Sequence, residues 1–217
     1  MSNATNVLVT DFDGTMTRYD FYRLVVERFL TPEDITPWDE YRRGEITHFQ
    51  ALQKIFRKIH RPKAEVLDIL RDMRLDPKLP QAVESLRRAG WDVVVSSAGC
   101  EWYVKRMLVE IGVDIPVHSN PGEYPENGPL EMREPKESQF YCPEIGINKA
   151  EIVRFYQQQG KTVAYAGDGY ADTDAALIVP DDLRFARFDL AETLKKKGKT
   201  FHSFNAWSDI AAMLLTE

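Results

Sequence analysis

The sequence predicts an α/β fold: a doubly wound, Rossmann-like and mainly parallel sheet, with a small all-helical cap inserted after the first strand. Three observations carry this. From Pro80 onward, short apolar β-branched runs alternate with helical stretches, as in a parallel sheet covered on both faces. One further strand stands apart near the start, at Val7–Thr10. Between it and the alternating part the pattern is helical throughout, with no strand signal.

The elements follow in order. Val7-Leu8-Val9-Thr10 reads as a buried strand because it is β-branched and ends at acidic residues and a glycine. Phe21, Leu24, Val25 and Phe29 begin a helical stripe, interrupted by a Pro-containing link from Thr31 to Pro37. Helices are expected over Thr47–His60 and Pro62–Met73, with Pro62 suited to a first turn. Helix Gln81–Ala89 stops at Gly90, strand Trp91–Ser96 follows, and helix Glu101–Ile111 stops at Gly112 before a short strand near Ile115–His118. Residues Asn120 to Pro143 are rich in Pro, Gly and Glu and read as a hairpin or irregular flap. Helix Lys149–Gln158, strand Thr162–Ala166, helix Ala171–Ile178, strand Leu183–Ala186, helix Leu190–Lys197, strand Thr200–His202 and helix Ala206–Leu215 complete the chain. The expected division is a core of residues 5–18 and 78–217 with a cap over 19–77.

Composition narrows the function classes. A length of 217 residues allows one sizeable core, or a core with a small insert, and 43% apolar with 29% charged residues is ordinary for a globular chain. No apolar run approaches the roughly 20 residues of a membrane span and nothing has the build of a signal peptide, so no membrane partner and a cytoplasmic location are expected. Met1-Ser2-Asn3-Ala4 resembles a tag remnant and carries no structural weight. The net charge of -6 argues against a nucleic-acid partner, whose binding surface would be basic. Cys100 and Cys142 are too few for a disulfide framework or a four-thiolate zinc site and read as reduced thiols. Lys195-Lys196-Lys197 reads as the solvated end of a helix.

Four segments at expected strand ends or helix starts hold the chemistry. Asp11-Phe12-Asp13-Gly14-Thr15 offers two carboxylates around a turn, one able to serve as nucleophile and the other to carry a proton for a leaving oxygen. Gly14 lets the chain bend there. Alone, such a pair is also an ordinary loop or helix-cap feature. Ser96-Ser97-Ala98-Gly99 at a strand-to-helix turn is either an anion-binding corner or a plain helix cap. Lys149 opens a helix, where a cation opposes the dipole, so it serves an anion or is a surface lysine. Gly167-Asp168-Gly169-Tyr170-Ala171-Asp172 suits an oxygen-loving cation such as Mg²⁺, or is a tight turn.

Taken in order (acid pair, hydroxyl, lysine, acid pair), these segments resemble the four motifs of the haloacid dehalogenase-like hydrolase superfamily. The resemblance runs from Val7 to about Ala176. It implies Asp11 as nucleophile forming an aspartyl-phosphate, and Asp13 as acid toward the leaving group and base for water. It implies Ser97, or Ser96 in its place, and Lys149 as phosphate ligands, with Ala98 and Gly14 beside them. Asp11, Asp168 and the Asp13 carbonyl would bind Mg²⁺, with Asp172 in support. The acid at Asp13 favours phosphatase or phosphomutase activity within the superfamily. The helical insert resembles the cap of the phosphoserine phosphatase-like branch, where Asp20 takes the place of a substrate-facing glutamate. Ala171 and Ala98 replace the asparagine and glycine usual there, and the stretches Cys142–Lys149 and Gly167–Ala176 look closer to the methionine-salvage phosphatases. Trp38, Arg42 and Arg43 are candidates to read the leaving group, or else a solvated helix face. The implied function is Mg²⁺-dependent hydrolysis of a small phosphorylated metabolite. Transfer to another acceptor, and a silent phosphate-binding module, are the alternatives.

Overall fold

A computed structural model describes residues 5–216; Met1 to Ala4, read above as a tag remnant, lie outside the described residues. The chain runs β1 (Asn6–Thr10), α1 (Phe21–Phe29), a 3-10 turn (Pro32–Ile35), α2 (Pro37–Arg42), α3 (His48–Phe56), α4 (Lys63–Asp72) and α5 (Leu79–Arg88). It continues with β2 (Trp91–Cys100), α6 (Glu101–Glu110), β3 (Val117–Asn120), β4 (Gly122–Glu123), β5 (Glu131–Met132), β6 (Tyr141–Cys142), β7 (Gly146–Ile147) and α7 (Lys149–Gln158). Then come β8 (Thr162–Gly167), a 3-10 turn (Tyr170–Asp172), α8 (Thr173–Leu177), a 3-10 turn (Asp181–Leu183), β9 (Arg184–Ala186), α9 (Phe188–Lys196) and α10 (Trp207–Leu214).

The main sheet has the order β3-β2-β1-β8-β9 and is parallel throughout. Alternation along the strands sorts the apolar residues between two faces. Val7, Val9, Val94, Val163 and Tyr165 join one core under α7, α8 and α9. Leu8, Val93, Val95, Ala164 and Ala166 join the other, which continues without a break into Phe21, Leu24, Phe49, Phe56, Val66 and Ile69 of the helical insert. The insert is therefore welded to one face of the sheet. Its two ends meet in a bridge between Thr17 and Leu75, reinforced by Arg18 and Tyr19 amides donating to the Met73 carbonyl, each at 3.0 Å.

The segment after β3 is built as two small antiparallel hairpins, β4-β5 and β6-β7, as the composition of the flap suggests. They are stitched to the insert: Gln53 Nε2 donates to the Met132 carbonyl at 2.6 Å, Phe49 N to the Glu144 carbonyl at 2.8 Å, and Tyr124 Oη to the Arg61 carbonyl at 2.7 Å.

Three local expectations are corrected. The strand expected over Trp91–Ser96 runs on to Cys100, although its register shifts between Ser96 and Cys100. There Ser119 Oγ and Asn120 Nδ2 donate to the Gly99 and Ala98 carbonyls, supplying bonds that the ladder does not. The strand expected at Thr200–His202 is a single bridge between His202 and Phe185, because the Thr200 carbonyl turns to the Arg184 guanidinium. The helix expected from Ala171 begins as a 3-10 turn and becomes α-helical only at Thr173. No helix among the described residues is long and apolar enough to cross a membrane, and both cysteines are free.

Candidate active site

Sheet register brings the motifs to one edge. Thr10 of β1 pairs with Val95 of β2 on one side and Ala166 of β8 on the other, so the next residues of all three strands emerge together. Asp11 N donates to the Ala166 carbonyl at 2.8 Å, holding the first motif against the last. This is the carboxyl end of a parallel sheet beside its central strand, where doubly wound folds bind ligands.

A cleft of about 360 Å³ opens there, lined on the core side by Asp11, Asp13, Ser97, Ala98, Lys149 and Asp168. Asp20, Tyr22, Trp38, His48, Leu52 and Phe56 of the insert form the opposite wall. At its mouth Arg23 of α1 pairs with Asp189 of α9 at 3.6 Å.

Lys149 is the first residue of α7, behind the Asn148 cap that accepts from the Ala150 and Glu151 amides. Its ammonium is 3% exposed and lies 2.7 Å from Asp11 Oδ1 and 2.6 Å from Asp172 Oδ1. Burial alone works against that charge, but the two carboxylates outweigh it and hold Lys149 above its ordinary pKa. Asp172 is saturated. Its Oδ1 accepts from Lys149 and from Tyr165 Oη (2.6 Å), and its Oδ2 from the Asp168 and Gly169 amides at 3.0 and 2.9 Å. Oxygens of Asp11, Asp168 and Asp172 lie within 4.8 Å of one another, close enough to share a cation. With Asp172 fully engaged, the carboxylates with oxygen to spare are Asp11 and Asp168.

The acids are set apart by their surroundings. Burial raises Asp11 to about 6, opposed by Lys149 and helped by Asp172. Burial, then the charges of Asp20 and Asp11, raise Asp13 to about 8. Burial, then the charges of Asp11 and Asp172, push Asp168 up to about 9. Asp13 Oδ2 accepts from Tyr103 Oη at 2.8 Å and faces Ser97 Oγ at 3.5 Å, and Asp13 Oδ1 accepts from the Phe21 amide at 3.1 Å. A side chain at Gly99 would overlap the Tyr103 hydroxyl, so glycine there lets the tyrosine reach Asp13.

The other sequence candidates divide. Between the two serines, Ser97 faces the cleft while the Ser96 hydroxyl is enclosed without a partner. Asp20 lines the cleft but also caps α1, accepting from Arg23 N at 2.8 Å. Trp38 stands on the wall, donating to Tyr22 Oη at 2.5 Å. Arg42 and Arg43 lie outside the cleft: both are exposed and paired with Asp39 and Glu45 (each 2.6 Å), since the short α2 turns that end to solvent. Gly14 also stands apart from the expected phosphate contacts, because its amide donates to Thr17 Oγ1 at 3.0 Å and its Cα packs on the Asp168 carboxylate.

Several residues in or behind the cleft wall belong to none of the four motifs. Tyr103 and Tyr165 look like core aromatics in sequence, yet each points a buried hydroxyl at an acid; the available signal was that a buried tyrosine needs a partner. His48 packs against Trp38 with ring centroids 5.0 Å apart, its Nδ1 enclosed without a hydrogen bond, and burial lowers its pKa.

A family model described as "Putative Phosphatase" matches residues 6–215. The chain belongs to this family. Among curated relatives, the 2-hydroxy-3-keto-5-methylthiopentenyl-1-phosphate phosphatase of Bacillus pumilus is 24% identical, covering 95% of this chain and 89% of its own. The polyol phosphate phosphatase PYP1 of Saccharomyces cerevisiae is 26% identical over 96% of this chain and 92% of its own. In fold, a HAD-family hydrolase from Salmonella enterica superposes with a TM-score of 0.68 at 16% identity, over 93% of this chain and 68% of its own. This phosphatase therefore has the haloacid dehalogenase-like fold, and it is a phosphoric monoester hydrolase.

Proposed function

We propose that the chain is a Mg²⁺-dependent phosphatase of small phosphomonoesters that passes the phosphoryl group through Asp11. The observation that carries this is the division between two neighbouring acids. Asp11 lies 2.7 Å from the buried Lys149 ammonium, whose charge opposes the effect of burial and favours the ionised form a nucleophile needs. Asp13, turned away toward Tyr103 and Phe21, has no cation beside it among the described residues, and burial with the charges of Asp20 and Asp11 pushes it up to about 8, which favours the protonated form a general acid needs. Paired acids whose surroundings push their pKa values apart take opposite roles.

An Asp11 oxygen attacks phosphorus while the ester oxygen leaves with the proton of Asp13. The Asp13 carboxylate then takes a proton from water as that water attacks the phosphorus of the aspartyl-phosphate. Phosphate departs and Asp11 returns. Lys149 and the Ser97 hydroxyl bind the phosphoryl oxygens; Asp172 holds Lys149 in place.

The donor set suits Mg²⁺, which takes oxygen ligands: carboxylates gathered this closely raise one another's pKa, and a cation relieves that repulsion. Asp11, Asp168 and the Asp13 carbonyl would hold it. When bound it supplies the positive charge that lets an anionic nucleophile meet an anionic phosphate.

The relatives bear the names of phosphatases for a methylthiopentenyl phosphate and for polyol phosphates, which supports a small phosphorylated metabolite here. Its leaving group would meet Trp38, Tyr22, His48 and Asp20. The test is hydrolysis of an aryl phosphate with and without EDTA, alongside Asp11→Asn. Activity should need Mg²⁺ and vanish in the variant, with labelled phosphate trapped on Asp11. Full activity in excess chelator, or label on a serine or histidine, would overturn the reading.

A further inference from the structure

Arg187, which belongs to none of the four motifs, follows β9 and is 8% exposed. Its Nε donates to the Gly14 carbonyl at 2.6 Å. Its Nη2 donates to the Thr17 carbonyl at 2.6 Å and the Thr15 carbonyl at 3.3 Å, and its Nη1 to the Asn205 carbonyl at 2.8 Å. Its faces lie against Phe188 and Phe204, 5.0 and 4.9 Å from the ring centroids. No carboxylate among the described residues lies within ion-pairing distance of it. A buried charge normally demands an ionic partner, and here backbone carbonyls and aromatic faces take that place.

Three of the four carbonyls belong to the turn that follows Asp11 and Asp13. The main chain of the same residue reaches the other acidic loop: Arg187 N donates to the Gly167 carbonyl at 3.3 Å, immediately before Asp168. One residue thus splints the loop of the nucleophile to the loop of the metal-facing acid. These two loops already touch where Gly14 packs on the Asp168 carboxylate. Thr17 is also where the chain enters the helical insert, across from Leu75.

We infer that Arg187 is a positioning residue for phosphoryl transfer, setting the register of the Asp11–Asp13 loop against Asp168. This rests on the roles given above to Asp11 and Asp168. The fork of the guanidinium is what the task requires, since several carbonyls in different directions must be served by one rigid planar group. A lysine ammonium in the same space cannot reach them all in line.

The molecule holds its own control. Arg184 on β9 is also buried and serves the Ala176, Val179 and Thr200 carbonyls, but it also pairs with Asp181 at 2.6 Å and contacts neither acidic loop. Purified full-length Arg187→Lys and Arg184→Lys are compared with wild type for Tm, kcat and KM on an aryl phosphate at saturating Mg²⁺. Arg187→Ala is assayed with added guanidinium chloride at low millimolar concentration. Arg187→Lys should fold, lose about 10²-fold in kcat and keep KM within about twofold, because misplacement of reacting groups falls on the chemical step. Guanidinium should restore part of kcat to Arg187→Ala. Arg184→Lys should lower Tm and leave kcat alone.

The inference is overturned if Arg187→Lys matches wild type in kcat, or if the two lysine variants lose Tm and kcat in parallel. Failure of the Asp11 reading is separately visible, as turnover that survives Asp11→Asn in an otherwise wild-type chain, and it would remove this inference with it.

Discussion

Removing the Tyr103 hydroxyl should weaken the proton donor without touching the nucleophile. Tyr103 Oη donates to Asp13 Oδ2 at 2.8 Å from a position 1% exposed to solvent, so no water stands ready to replace it in Tyr103→Phe. The bond favours the carboxylate form of Asp13, the form produced as the leaving oxygen takes the proton. A hydrogen bond to a charged group contributes about 1.5–3 kcal/mol. If proton transfer is complete in the transition state, that corresponds to roughly 10- to 150-fold in kcat/KM, and proportionately less for partial transfer. The loss should appear with an alkyl phosphate, whose leaving oxygen must be protonated, and be under about twofold with p-nitrophenyl phosphate, whose phenolate leaves unaided. The sign for pH follows. Asp13 stands near 8 with the Tyr103 bond holding it down; without that bond it rises. The basic limb of the alkyl-phosphate profile marks loss of the acid's proton, so it should move to higher pH. The assay is kcat/KM for both substrates between pH 5 and 10. Equal losses on both substrates would show that Tyr103 serves packing alone, and no loss on either would remove Asp13 from the role of acid.

Metal and pH should act together on stability. Burial and neighbouring charges hold Asp13 near 8 and Asp168 near 9, from ordinary values of 3.8, so their favourable protonated forms are fully present below about 4 and are lost as pH rises through 8 and 9. Mg²⁺ should therefore raise Tm more at pH 8.5 than at pH 5 and release protons on binding, which calorimetry in buffers of different ionisation enthalpy would measure; an equal Tm rise at both pH values would refute the charge argument. Gly14→Ala should weaken Mg²⁺ binding by about 10- to 100-fold, because Gly14 has φ of +67° and a methyl there would overlap the Asp168 carboxylate. Unchanged affinity by titration calorimetry would count against that contact.

The parallel sheet and the acidic loops at its edge were legible because each rests on a local signal. A β-branched run followed by an acid and a glycine describes both a buried strand and the loop at its end, as in Val7–Gly14 and Val163–Gly169. Lys149 opens α7 where the sequence places a helix start, and the helical insert lies where strand signals are absent. What stayed hidden depends on tertiary neighbours. Nothing local distinguishes Tyr103 or Tyr165 from any apolar aromatic, since only the approach of Asp13 and Asp172 gives their hydroxyls a task. Arg42 and Arg43 were candidates to read a leaving group or else a solvated helix face, and they take the second place, because the orientation of the short α2 is set by packing elsewhere and Trp38 takes the inner face. Arg187 was invisible for the same reason: three of its four carbonyl partners lie about 170 residues earlier in the chain, and carbonyls carry no sequence signature.

Asp13, the acid proposed as proton donor, is also where the core meets the insert. Asp13 Oδ1 accepts from the amide of Phe21, the first residue of α1, and Phe21 stacks on Tyr103 at a centroid distance of 4.4 Å. The two groups that hold Asp13 are thus packed on each other, one from the insert and one from α6. Any shift of α1 over the cleft moves a donor of Asp13 and a neighbour of Tyr103 together. Meanwhile Lys149, Asp172 and Tyr165 hold Asp11 from the opposite core, with no residue of the insert among them. Under the proposed roles, a leaving group that presses on Tyr22 of α1, directly or through Trp38 and His48 packed beside it, would act on the acid through α1 while the nucleophile stays fixed. On the roles proposed for these residues, selectivity would fall on leaving-group departure, and capture of phosphate would belong to the sheet edge.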